Sequence, residues 1–173
     1  MKKSTMFVIG LLSLFIIIIS FYTYESEDMI IEDVSRVAEN SFHEHTEIET
    51  TFEATSFSFY LPEGLEVDEE DASNVILHSG EQTYIIFYNQ FEEPTSELNY
   101  NNAKTDQAVL LESFEDEEKF GYIRVIPKEE KAYELQIGIG GVKITTITST
   151  SKIEEDTEEL MKTARSIIET EEL

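Results

Sequence analysis

The 173-residue chain sets 37 Asp and Glu against 12 Lys and Arg, a net charge of −25, and once its apolar N-terminal run is set aside it is long enough for one cored domain but not for two. A surface so negative repels nucleic acid and anionic lipid headgroups, so no nucleic-acid partner is expected; it also keeps an exported domain soluble in a salty or alkaline medium. With no cysteine anywhere, disulfides, thiol catalysis, thiolate zinc sites and a lipid-modified N-terminal cysteine all drop out together.

The first element is a near-continuous apolar run from Met6 to Tyr24, preceded by Lys2 and Lys3 and followed by Glu25, Glu27 and Asp28. Nineteen residues at about 1.5 Å each give roughly 28 Å of helix, close to the ~30 Å of a bilayer core. Residues 6–24 are therefore expected to be a transmembrane signal-anchor whose partner is the lipid bilayer, with Phe21, Tyr22 and Tyr24 at the headgroup level. A cleaved signal peptide has a shorter apolar core and small residues at its end, neither of which occurs around Ser20-Phe21-Tyr22. Lys2 and Lys3 put residues 1–5 in the cytoplasm, because the opposite flank has no Lys or Arg until Arg36; the bulk of the chain is then extracytoplasmic, anchored to the cell membrane.

Residues 25–49 read as a juxtamembrane helix and linker. Ile30, Ile31, Val34, Val37 and Ala38 gather on one face of a helix over 27–41, and the polar stretch from Asn40 to Thr51 follows. Residues 50–173 are expected to form the domain. Phe57, Phe59 and Leu61 alternate with Ser56, Ser58 and Tyr60 as in a half-buried strand, ended by Pro62-Glu63-Gly64. A hairpin pairs Asn74–His78 with Thr83–Asn89, and residues 91–107 are loop with one short helical turn. Strands are expected at Val109–Phe114 and Phe120–Ile126, with the acidic turn Glu115–Glu118 between them. A second hairpin joins Ala132–Ile139 to Val142–Thr148 through Gly140-Gly141, a pair suited to the positive φ of tight primed turns.

A C-terminal helix closes the chain, with Ser151 and Glu154 at capping-box spacing and Ile153, Leu160, Met161, Ala164, Ile167 and Ile168 on one apolar face. That face needs a surface to cover, and the sheet is the only large one. The predicted fold class is α+β: an N-terminal transmembrane helix, then an antiparallel sheet of about six strands with the C-terminal helix packed on it.

The order Phe57-Ser58-Phe59-Tyr60-Leu61-Pro62, hairpin, insertion, Gly121-Tyr122-Ile123-Arg124-Val125, and the Tyr133–Thr148 hairpin running into the helix of Glu159-Leu160-Met161-Lys162 resembles the uncharacterised sheet-and-helix ectodomains of membrane-anchored proteins and lipoproteins in spore-forming Gram-positive bacteria. It is more distantly similar to the PsbP/Mog1-type α+β fold. The resemblance spans roughly residues 50–170, rests on strand order, and implies a fold without assigning functional residues.

Site chemistry is sparse. His43, His45 and Glu47 are the one cluster with transition-metal ligand types, since in an extended segment all three face one side. Asp68–Asp71 and Glu115–Glu118 are hard-oxygen runs that attract calcium in principle, but they lack the ligand spacing and glycine of an EF-hand loop and read as solvated turns. There is no Gly-x-Ser-x-Gly elbow, and Gly138-x-Gly140-Gly141 lies between strands rather than opening a helix, so no phosphate loop is expected. The reading is a membrane-anchored extracytoplasmic interaction or sensing module, not an enzyme and without cofactors, whose partner is a protein or cell-envelope component. The alternatives are a cation-binding acidic ectodomain, taking calcium or a transition metal, and a small hydrolase with paired carboxylates in a sheet-face cleft.

Overall fold

A computed structural model describes residues 3–22 and 27–171, and the chain divides into two compact units, 1–30 and 31–173. The first unit carries helix α1, Lys3–Tyr22. Side chains of α1 are described over residues 8–17 only, and among the described residues no helix is long and apolar enough to cross a membrane. Thr23 and Tyr24, where the predicted anchor ends, lie outside the described residues. Helix α2 runs Glu27–Phe42.

The second unit is α+β. Seven antiparallel strands form its sheet: β3 (Glu66–Glu70), β4 (Asn74–Ser79), β5 (Gln82–Tyr88), β6 (Leu110–Glu115), β7 (Phe120–Pro127), β8 (Ala132–Ile139) and β9 (Val142–Ser149). Their spatial order is β3-β4-β5-β9-β8-β7-β6, so the β8–β9 hairpin is central and each flank is a further run of hairpins. A separate two-stranded ribbon pairs β1 (Phe52–Glu53) with β2 (Ser58–Phe59). Helix α3 (Leu98–Ala103) lies in the loop between β5 and β6, and α4 (Ile153–Glu171) closes the described chain.

Alternation decides which side chains are covered. Val75 and Leu77, Ile86 and Tyr84, Ile144 and Thr146, Ile137 and Leu135, and Ile123 and Val125 stand in register across five strands and are all buried. Onto this face α4 lays Ile153, Leu160, Met161, Ala164, Ile167 and Ile168, each no more than 5% exposed, the stripe its periodicity predicts. Phe42 at the end of α2 is fully buried; its ring lies 5.8 Å from that of Phe114 and 2.7 Å from where a Cβ on Gly121 would sit. The chain therefore needs glycine at 121 to seat the α2 terminus. On the opposite face, α3 covers the β6–β7–β8 side, with Tyr100 5.5 Å from Phe120 and 5.9 Å from Tyr122.

The structure corrects the predicted elements in three places. The sheet has seven strands rather than about six, because Asp68, Glu69 and Glu70 belong to edge strand β3 and not to a solvated turn; only Asp71 turns the chain, its Oδ1 accepting from the backbone N–H groups of Ser73 and Asn74. The predicted strand 57–61 shrinks to Ser58–Phe59, because the next backbone groups bond α4 instead of a ladder: Tyr60 N donates to Ser166 Oγ, and Thr163 Oγ1 donates to Tyr60 O. The predicted capping box does not form, since Ser151 Oγ meets Ser149 Oγ at 3.1 Å. In the Gly140-Gly141 turn, positive φ is confined to Gly140, at 50°, while Gly141 admits the loop carbonyl of Asn89 only 2.3 Å from its missing Cβ.

Candidate functional site

The concave surface of the second unit lies along the segment after α2 where it crosses α4. That segment is pinned from below by Arg165, 1% exposed, whose Nη1 donates to Ser41 O and Nη2 to Thr46 O, both at 3.1 Å. Its remaining charge is met by Glu169 Oε1 at 3.1 Å and Glu44 Oε2 at 3.5 Å. A guanidinium buried this deeply is stable only when paired and hydrogen-bonded all round, and these partners supply that.

Above Arg165 opens a cleft of about 350 Å³, lined by Glu44, Thr46, Glu47, Ile48, Glu49, Thr51, Tyr60, Glu158, Glu159 and Lys162. The Lys162 ammonium sits 3.8 Å from the centre of the Tyr60 ring, a cation–π contact. Glu159 Oε2 is buried without a hydrogen-bond partner among the described residues. The nearby hydroxyls serve the backbone: Thr163 Oγ1 donates to Tyr60 O and lies 2.9 Å from Glu159 O, Ser166 Oγ donates to Thr163 O, and Thr51 Oγ1 accepts from Leu61 N. A neighbouring recess of about 180 Å³ is lined in part by His45, Glu47, Glu118, Lys119 and Glu169.

The sequence-predicted metal residues are thus separated. His45 and Glu47 line one recess, while His43 sets its ring edge-on against Phe42 at 4.9 Å. Among the described residues no three His, Cys, Asp or Glu converge to hold a metal ion. His78 stands on β4 with its Nε2 3.8 Å from Glu66 Oε2 of β3.

Two buried polar centres escaped sequence reasoning. Arg165 lies between Met161 and Ile168 at helical spacing, so its place on the apolar face was readable from period alone. Asp156, 8% exposed in the first turn of α4, accepts from Gln82 Nε2 at 2.9 Å, Tyr84 Oη at 3.0 Å and Thr148 Oγ1. Burial, and next the Asp156 charge, push the Tyr84 phenol well above its ordinary range, so it stays a donor at any ordinary pH. Three donors and a helix N-terminus hold this carboxylate in place, which makes it a fastener between α4 and the sheet.

No protein-family profile, curated protein or solved structure matches the chain.

Proposed function

We propose that the chain is a single-pass membrane protein that presents an acidic α+β domain outside the cell and acts there as an interaction or sensing module without catalysis. One observation carries the reading. Between Val8 and Ile17 the eight large apolar side chains of α1 are 51–62% exposed, distributed on all sides of the helix. In water each would forfeit about 1 kcal/mol or more of burial, whereas in lipid the same surface is at home. Lys2 and Lys3 set the orientation, and the acidic domain is kept off anionic headgroups by its own charge.

The test is extraction and accessibility. The full chain should remain in the membrane pellet after alkaline carbonate washing, and protease added to intact protoplasts should remove residues beyond about 40 while leaving a small protected fragment. Release by carbonate, or recovery of mature protein from culture fluid beginning after Ser20, refutes the anchor; full protection of the domain refutes the orientation.

A second reading, a cation-binding ectodomain, is favoured by the buried, unpartnered Glu159 Oε2 in a cleft that also holds Glu47, Glu49 and Glu158. Its ligand is an ammonium-bearing molecule in preference to a bare metal ion, because among the described residues no three His, Cys, Asp or Glu converge to hold a metal. Calorimetry with putrescine, calcium, zinc and manganese discriminates the readings: a stoichiometric micromolar site supports the second, and the absence of heat at millimolar ligand dismisses it.

A further inference from the structure

The sheet's second face is only half covered. Where α3 ends its cover, β4, β5 and β9 present ten outward positions, 74, 76, 78, 83, 85, 87, 143, 145, 147 and 149, and none of them is buried. Ile85 and Ile147 are 45% and 50% exposed, Ile76 and Phe87 are half-buried beside them, and Ile76, Ile85 and Thr145 stand in one row across the three strands. Not one of the ten is Asp or Glu, in a chain where 37 of 173 residues are. Lys143, with its ammonium 5.1 Å from the Phe87 ring centre, is the lysine of the set; carboxylates return at both rims, Glu66 and Glu69 on edge strand β3 and, on β8 beside Ile147, Glu134, which is paired with Arg124 and Lys128.

We infer that this acid-free face is where two copies of the chain meet, sheet on sheet, through a two-fold interface. The argument is electrostatic first. Two molecules of charge −25 repel in nearly every approach, and the approach that brings no carboxylate against a carboxylate at the centre of contact is this face on itself. An isologous contact needs a self-complementary patch, which a face of four apolar residues set mainly among uncharged hydroxyl and amide groups supplies better than the carboxylate-rich remainder of the surface. Twisted sheets pack face to face about 10 Å apart with strands some 30° from parallel, the geometry that would bury Ile76, Ile85, Phe87 and Ile147 between copies. The rest of the acidic surface then acts against other modes of association. The footprint of the three strands is small, roughly 14 by 23 Å from strand spacing and rise, below the area of stable interfaces, so the contact is a weak, transient one. The face lies wholly within residues 31–173, so the inference stands apart from the membrane reading.

The chain has no cysteine, so a single introduced thiol reports the interface cleanly. Full-length protein in detergent micelles, carrying Thr145→Cys at the centre of the face, is treated with a short bis-maleimide beside Glu63→Cys on an exposed turn. The expected result is covalent dimer at least tenfold faster from position 145. Light scattering from 1 to 100 µM should show a monomer–dimer equilibrium weakened at least tenfold by Ile85→Asp with Ile147→Asp, at an unchanged far-UV spectrum and with α1 untouched. Equal crosslinking from both positions, a monomer at 100 µM, or a dimer indifferent to the paired aspartates overturns the inference. So does loss of the 145 crosslink when neutral phosphatidylcholine vesicles are added, which would make lipid the occupant.

Discussion

Lys119 is 7% exposed, and a buried ammonium is tolerated only where its charge is answered. Asp116 Oδ2 lies 3.0 Å from it and the Phe42 ring centre 5.1 Å away, so the side chain joins the acidic turn to the terminus of α2. Burial alone would push the Asp116 carboxyl up. The backbone N–H groups of Glu118 and Lys119, bonded to its Oδ1 at 2.9 and 2.8 Å, and the Lys119 ammonium outweigh that and hold it below its ordinary value of 3.8. A carboxyl depressed by folding contributes stability that is present above 3.8 and is lost as the pH falls through the lower folded value. Asp116→Asn keeps the turn acceptor but leaves Lys119 without its counter-charge, so it should destabilise the protein by about 1–3 kcal/mol at neutral pH. Urea melts at pH 7 and near pH 2 check this: the gap between wild type and variant should be open at pH 7 and nearly closed at the acid end. In the sequence Glu115-Asp116-Glu117-Glu118 is one undifferentiated run, and only the turn geometry singles out its second member.

At the scale of elements, the hairpins and the stripe of α4 were legible because alternation and helical period report burial directly, and each of these elements has one buried face. Edge strand β3 was not, for its outward and inward positions are both mostly acidic and only Val67 marks a period of two. An edge strand of charged residues is what blocks pairing with another sheet, so the property that hides β3 in sequence is the one that suits it to the edge. The candidate cleft was half legible: Glu47 was singled out for metal, but its neighbours Glu158 and Glu159 come from a helix about a hundred residues away in sequence and Tyr60 from the segment just past β2, and no local pattern joins them. The segment after α2 reads as polar linker because its side chains are polar, while its attachment runs through backbone carbonyls that sequence does not display. Arg165→Met tests that attachment. Removing the donors to Ser41 O and Thr46 O should speed amide exchange across residues 41–47 at least tenfold and cost about 2–4 kcal/mol overall, since two carbonyls and the Glu169 carboxylate lose their partner. Hydrogen-exchange mass spectrometry reads both. If exchange there is already unprotected in the wild type, the segment is a free linker and the variant should change nothing in it.

Across the whole molecule, a net charge of −25 sets the carboxylates against one another. Residues 37–103 contribute acids without one Lys or Arg; within that stretch Glu44 meets Arg165 at 3.5 Å, and beyond it Glu134 meets Arg124 at 2.6 Å and Lys128 at 2.8 Å. Most of the carboxylates are exposed, and at 0.01 M salt their fields reach about 30 Å, across the whole domain, whereas at 0.15 M they reach about 8 Å. Folding brings these charges together, so screening should favour the folded state. The expected outcome is a Tm that climbs by several degrees between 10 mM and 0.5 M sodium chloride, a rise of about 2–4 °C for each 1 kcal/mol at this chain length. Repeating the melt with magnesium or calcium at matched ionic strength separates diffuse screening from a discrete site. Divalent ions that do no more than sodium at equal ionic strength mean the acidic surface acts as a cloud of charge; a further rise that saturates with concentration follows the mass-action form of ligand binding and marks a stoichiometric site among these carboxylates.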